Sequence, residues 1–512
     1  MPTQLSKTGF WSFLICLFLV SCALFLSTGC GTVVAPVTTT TGTGTTTTGT
    51  GTTTTGTETT TTGTGTVTTT SSTSTTTGIN QVATPTFTLS SGSYEANSLY
   101  ITIECETADV QIYYTLNGDS PTTSSTPYSG TFSIEASKVV KALAIKSGMT
   151  NSYVGSSWYD LYWWQALGGG VDGIVTALFY ESGGQSLFVG GEFETASGLN
   201  VNFIAKWDCA LQTWEALGQG LGYDEPAAPP TVSSIFYNPS DSKLYVGGMF
   251  TAPHFVANNL AQWNGSTWEA VGGGTNNSVL ALAYNSGTGL TFTGGEFSSA
   301  GGVSASCVAK WTGSTFEALG TGPSAQVRAM VFDPPGNNLF VTGASLDAFG
   351  STSSILSIKA WNGSNWLLLD SGSNVGFGNT LSYSASDNTL YVGGTFTAVN
   401  GITVNRIAKY SGGDWQALGS GLDNQVRELV FDPTSGKLYV GGEFANAGGV
   451  SVNNIARWNT SMQTWEAMGS GMNDRVIALA LDRANGTIYA GGAFTAAGGV
   501  SASRIAKWAR KN

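Results

Sequence analysis

From Trp164 to the C-terminus the chain repeats one unit of about 50 residues, and this periodicity decides what it can fold into. The unit is clearest in VRELVFDPTSGKLYVGGEFANAGGVSVNNIARWNTSMQTWEAMGSG, Val426 to Gly471. It holds four short apolar runs: Val426–Phe431, LYVGG ending at Gly441 and Gly442, IARW ending at Trp458, and WEAMG from Trp465. Counted from the aromatic that opens the fourth run, units begin at Trp164, Trp214, Trp268, Phe316, Trp366, Trp415 and Trp465, in steps of 50, 54, 48, 50, 49 and 50 residues. Runs of about five β-prone residues bounded by Gly, Asn, Ser and Asp predict strands and tight turns, not helices.

Four strands make a small antiparallel sheet that cannot bury both faces alone. Arranged radially, such sheets bury one another and leave only short edges. Glycine pairs end the second run (Gly190–Gly191, Gly247–Gly248, Gly294–Gly295, Gly393–Gly394, Gly441–Gly442 and Gly491–Gly492), where a side chain would block a neighbouring backbone. A lone fourth strand, WWQALG at Trp163–Gly168, starts the region, and three strands from Val476 to Trp508 end it. Joined, they complete one blade. The expectation is an all-β, seven-bladed propeller over 163–512, closed by pairing its two ends.

The glycine pair after strand two, the strand-three aromatic (Trp207, Trp458) and the Trp opening strand four (Trp214, Trp465) resemble the galactose oxidase/kelch propeller superfamily. The wording LYVGGEF, GGV, NNIARW and AMGSGM is still more similar to repeats of bacterial surface propellers and of fungal cortical marker proteins of the Rax2 type. The resemblance covers about two thirds of the chain. It implies a fold and leaves function open, because one architecture hosts many activities.

Residues 82–162 are a second folded region. Candidate strands Thr86–Leu89, Leu99–Glu104, Gln111–Thr115, Thr131–Ile134 and Val139–Lys146 are separated by turn clusters such as NGDSPTTSS, which predicts an Ig-like β-sandwich. IYYTLNGDSPT (Ile112–Thr122), YSGTFSI and VKALAIKSG resemble the C-terminal-type β-sandwich of chitobiase and β-hexosaminidase, an accessory module rather than a catalytic one. Tyr113 and Tyr114 fall on opposite faces of their strand, so at least one belongs to the core.

The N-terminal 81 residues are expected to lie outside both folds. Lys7 precedes an apolar run from Phe10 to Leu26, then small residues and Cys30, a signal-peptide layout for 1–30. LSTGC, ending at Cys30, and LVSC, ending at Cys22, resemble the bacterial lipobox, whose cysteine becomes a lipidated N-terminus. Cys30 is favoured because it closes the whole apolar run; an uncleaved anchor helix is the alternative. Neither cysteine is followed by Asp, a pattern that resembles outer-membrane sorting. The segment 31–81 is nearly all Thr and Gly and lacks apolar periodicity, which predicts a disordered stalk spanning ~40 Å as a Gly-rich coil.

Composition excludes several function classes. Net charge is −12 with no basic stripe, which argues against nucleic acid. The single histidine, His254, rules out a copper-radical site needing two histidines and a multi-imidazole zinc site. A Ser–His–Asp triad would have to use His254, which sits in the irregular stretch APHFVANN. Cys105, Cys209 and Cys307 are odd in number and scattered, so they read as buried or incidental thiols, with one pairing left open. Glu192, Glu296 and Glu443 recur at one repeat position and the tryptophans at two, which marks them as architecture. No cofactor or metal is expected.

Recognition is therefore sought where the repeat breaks. Four places qualify: LGYDEPAAPP (Leu221–Pro230) with Tyr223, Asp224 and Glu225; PHFV with His254 and Phe255; GASLDAFGS (Gly343–Ser351) with Asp347 and Phe349; and SNVGFGN (Ser373–Asn379) with Phe377. The resulting expectation is a lipid-anchored, exported protein with a monomeric propeller that binds a glycan, matrix polymer or envelope protein without catalysis. A secreted carbohydrate-active enzyme with an accessory sandwich and a structural envelope component are the alternatives.

Overall fold

A computed structural model of the chain describes residues 56–61, 67–72, 80–222, 230–252, 257–323, 325–346, 354–370 and 375–511, with backbone alone at 56–61, 67–72, 345–346 and 354–355. Every regular element among the described residues is a β-strand.

The blade over 426–467 shows how the repeat folds. Val426–Asp432 pairs antiparallel with Lys437–Gly442, that strand with Ile455–Asn459, and that one with Thr464–Ala467. The first turn is closed by the Asp432 carboxylate, which accepts from the Thr434 amide at 2.9 Å and the Ser435 hydroxyl at 2.6 Å. Between strands two and three a small hairpin, Asn446–Ala447 with Val450–Ser451, is tied down by Asp423, which accepts from the Ala445 amide at 3.0 Å. Asp172, Asn276 and Asn473 hold the corresponding hairpins in other units.

Two repeated devices join one blade to the next. The first glycine of each pair faces the following blade: a Cβ on Gly441 would lie 2.6 Å from Val476 Cγ1, and one on Gly190 2.4 Å from Val232 Cγ1. The indole N–H of each fourth-strand Trp donates backwards to the preceding unit, Trp465 to the Leu418 carbonyl at 3.0 Å, Trp268 to Leu217 at 2.8 Å and Trp164 to Met468 at 2.9 Å. Each of these indoles also packs on the strand-three aromatic opposite, as in Trp458–Trp465 with centroids 5.2 Å apart. The recurring tryptophans are thus inter-blade packing, as expected.

One blade inverts the first device. At 326–368 the first glycine is replaced by Thr342, which is buried. The position across the seam, Val in the other blades, is here Gly378, whose Cβ would lie 2.0 Å from Thr342 Oγ1. Bulk has moved from one side of the seam to the other.

The expected count of seven blades is corrected to six. Six four-stranded sheets are self-contained, spanning 175–216, 231–270, 279–318, 326–368, 378–417 and 426–467. The remaining strands, Val476–Asp482, Thr487–Gly492 and Ile505–Arg510, belong to an eight-stranded sheet. The reason lies in the 12-residue strand Gly155–Ala166. Its C-terminal half pairs with Ile505–Arg510 and its N-terminal half with Lys138–Ile145, so the ladder runs on into the sandwich. The first strands of the six blades and Val476–Asp482 still pack in one circuit around the axis. A domain border at 162/163 therefore falls inside a single strand.

The sandwich core is Val82, Ile101, Ile103, Ile112, Ile134, Val140, Ala142, Ala144, Tyr159 and Leu161. Tyr114 joins its edge, stacked on Phe132 at 4.4 Å. Ion pairs Arg457–Glu95 at 2.7 Å and Arg510–Asp160 at 2.6 Å tie the sandwich to the ring. Arg457 also holds Glu466 at 2.6 Å; burial opposes ionisation of Glu466, but the Asn459 amide at 2.9 Å, Arg457 and Lys437 hold its carboxyl down at about 2.

The N-terminal Thr/Gly unit also departs from expectation. Gly56–Thr61 and Val67–Ser72 pair as an antiparallel ladder where no structure was expected. β-branched threonine favours extended backbone, and ladder pairing needs no apolar periodicity. Cys22 and Cys30 lie outside the described residues.

Candidate ligand-binding channel

The first strand of every unit carries a one-residue bulge near its start. The register slips between Val175 and Ala177, Val232 and Ser234, Val279 and Ala281, Val327 and Ala329, Gly378 and Thr380, Val426 and Glu428, and Val476 and Ala478. A bulge leaves the extra residue unpaired and re-aims its side chain. The bulged residues are Thr176, Ser233, Leu280, Arg328, Asn379, Arg427 and Ile477, and all line one axial cavity of about 460 Å³.

The fold accepts Leu and Ile at this position, so a charged residue there is not an architectural need. Arg328, Asn379 and Arg427 nonetheless stand on three consecutive blades. Arg328 donates Nε–H to Gln326 Oε1 at 3.1 Å and reaches Asn379 Oδ1 at 3.4 Å. Its guanidinium lies 4.2 Å above the centroid of Phe377. Among the described residues it has no ion-pair partner, and burial lowers its pKa. Arg427 instead pairs with Glu443, with Nη2 2.7 Å from Oε1. That pairing outweighs burial and holds the Glu443 carboxyl below its ordinary value.

Glu428 faces the same channel. It accepts from Thr380 Oγ1 at 2.8 Å and from the Leu429 amide at 3.0 Å. Burial overrides both contacts and pushes its carboxyl up to about 7. Glu296 accepts from the Gln326 side chain of the next blade. The recurring glutamates thus do two different jobs, an ion pair within the blade and a hydrogen bond across blades.

Of the irregular residues, Phe377 supports the channel wall through its ring beneath Arg328, and its amide donates to Thr395 Oγ1 at 3.0 Å. Tyr223, Asp224, Glu225, His254, Phe255, Asp347 and Phe349 lie outside the described residues. The strand ends that flank all four irregular stretches share one end of the ring. First-strand starts pair with second-strand ends (Val426 with Gly442), and those with third-strand starts (Gly441 with Ile455). In the two blades whose second-to-third connection is irregular, strands two and three run longer, Lys243–Ala252 with Ala257–Trp263 and Asn338–Leu346 with Ser354–Trp361.

Sequence reasoning missed Arg328 and Arg427 because it sought breaks in loops; Asn379 fell at the end of one such break, Ser373–Asn379, but was not singled out. The available signal was the residue after the recurring Val or Gly near the start of each first strand, which varies from Leu to Arg while the residue before it repeats. Among the described residues no group of three His, Cys, Asp or Glu side chains could hold a metal ion. The arrangement offers hydrogen bonds, a stacked guanidinium and one carboxyl titrating near neutrality.

Comparison with known families agrees with both folded regions. Residues 89–156 match the chitobiase/β-hexosaminidase C-terminal domain. Residues 409–502 match the Rax2 C-terminal β-propeller domain, and 385–414 match a β-propeller domain of unknown function (DUF5122). No curated protein matches the chain.

Proposed function

We propose that the chain is an exported, lipid-anchored surface protein whose propeller is a non-catalytic binding module, taking a glycan, matrix or envelope-protein ligand at the channel mouth. The observation that carries this reading is the polar arc of Arg328, Asn379 and Arg427 at bulge positions where the fold accepts Leu280 and Ile477. Stacking on Phe377 pre-orders Arg328 for a ligand. Lipid attachment at Cys30, or else Cys22, and a signal peptide before it rest on the lipobox-like sequences, and kinship with the kelch-like superfamily rests on the repeat motifs.

The test is retention on a panel of glycans, cell-wall polymers and envelope proteins, with product release assayed in the same wells. Retention without product, lost in Arg328→Met, supports the reading; retention unchanged in that variant contradicts the site. For the anchor, metabolic lipid labelling should disappear in Cys30→Ser, and labelling that survives there but is lost in Cys22→Ser moves the site.

A second reading has its own observation. Glu428, on the channel wall with its carboxyl pushed up to about 7, and Glu443, ionised against Arg427 of the same blade, are an acid and a base of the kind a glycosidase uses. Sugar release by the wild type that Glu428→Gln abolishes would replace the binding reading with that one.

A further inference from the structure

A second cavity, of about 890 Å³, lies at the opposite end of the ring from the channel mouth. It sits in the seam between the eight-stranded sheet and the blade 175–216, beside the junction with the sandwich. Its size falls within the ~300–1,000 Å³ of small-molecule sites, which favour such junctions.

The repeat explains what this seam lacks. In three blades the third strand carries a basic residue and the fourth strand places a Glu opposite: Lys206 with Glu215 at 2.9 Å, Lys310 with Glu317 at 2.6 Å, Arg457 with Glu466 at 2.6 Å. In the eight-stranded sheet the fourth strand comes from the other end of the chain, and the residue opposite Lys507 is Gln165. Lys507 therefore lacks the repeat's carboxylate and lines the cavity instead, with Gln212 Oε1 at 3.5 Å as its hydrogen-bond partner. The two acids nearby are committed elsewhere. Asp160 pairs with Arg510 at 2.6 Å. Asp482 is buried and caps a turn through the Ala484 amide at 3.0 Å and Asn485 Nδ2 at 2.7 Å. A second lysine of the lining, Lys511, donates to the Asn97 carbonyl at 3.2 Å. The lining also includes half-exposed Trp163, Tyr180 stacked on Tyr489 at 5.6 Å, and the amides of Gln165, Gln185 and Gln212.

A cation with no carboxylate partner among the described residues, an indole face and several amides form the chemistry that recognises an acidic sugar. The ring stacks on the aromatic, the hydroxyls meet amides that both donate and accept, and the carboxylate meets the ammonium. We propose that this seam binds a saccharide bearing a carboxylate, a uronic-acid residue of an oligosaccharide, with Lys507 as its anchor. The site is distinct from the channel, so each can fail without the other.

The test titrates the full-length protein with tetragalacturonate and with the same oligosaccharide after its carboxyls are reduced to alcohols, read by tryptophan fluorescence and calorimetry. Binding of the acid form at least tenfold tighter than the reduced form is expected, and this needs no variant. Lys507→Met should weaken the acid form at least tenfold and leave the reduced form unchanged. Lys409→Met is the control. Lys409 also faces a glutamine, Gln416, but does not line this cavity, so its affinity should match the wild type. Loss of tetragalacturonate binding in Arg328→Met with binding retained in Lys507→Met would place the probe at the channel and overturn the proposal. Equal affinity for the two sugars, wild-type affinity in a folded Lys507→Met protein, or no binding of tetragalacturonate at millimolar concentration would overturn the proposal.

Discussion

The seams between blades and the wall of the axial channel are built from the same repeat, yet they treat it in opposite ways. At the seams the chain repeats itself: glycine against valine, indole N–H against the preceding carbonyl. At the channel wall the bulged position runs through Thr, Ser, Leu, Arg, Asn, Arg and Ile. Repetition marks what the ring needs to close, and variation marks what it does not need. The difference teaches that a recognition site in a repeat protein can sit in the middle of a regular strand, not only in a loop.

The sharpest way to break that comparison is to exchange the two sides of the inverted seam. Gly378→Val would drive a side chain into Thr342 and should cost about 3 kcal/mol or more, the upper range for overpacking. Thr342→Gly in the same protein should recover at least ~1–3 kcal/mol of that as coupling, measured by chemical denaturation of both single variants and the double. Additive losses would mean that the two residues are not one device.

The tryptophan ladder gives the next effect. Trp465→Phe removes a buried N–H···O=C bond and some packing, and should cost about 1–2 kcal/mol. Phe316 already stands at this position in another blade, so the variant should still fold. A melting temperature equal to the wild type would show that the indole bond contributes nothing.

Glu428 tests the channel wall through pH. Its folded pKa is raised to about 7, so the native state holds a proton that the unfolded chain has lost between about pH 4.5 and 7. Its contribution is full below the unfolded value and is lost as pH rises through the folded one. Glu428→Gln should therefore raise the melting temperature at pH 8, change little at pH 4, and flatten the profile between. An unchanged profile would mean that the carboxylate is well solvated. Arg328→Met should have the smallest stability effect, within about 0.5 kcal/mol, because Leu280 occupies the equivalent place without harm.

Much of the ring was legible because its physics repeats. Gly441, Trp458 and Trp465 announce strands, turns and inter-blade contacts on their own. The sandwich was legible from alternation in stretches such as Val139–Lys146. The blade count misled because Trp163–Gly168 reads as a lone fourth strand, while Gly155–Ala166 is one continuous strand serving two folds. A composition shift locates a change of packing, but it does not cut a hydrogen-bond ladder. The Thr/Gly hairpin escaped notice because pairing there draws on backbone propensity alone. The channel residues escaped because a bulge adds no turn signal: Arg328 and Arg427 look like ordinary outward-facing strand charges. Phe377 was found from the break in pattern around it, and the cation it supports was not.

The most direct test of the central claim is retention of the folded protein on a ligand panel, compared between wild type and Arg328→Met at matched melting temperature. The account predicts that the variant keeps its stability and loses retention. Retention equal to the wild type, with stability unchanged, would contradict the claim that the varied bulge position is the recognition surface.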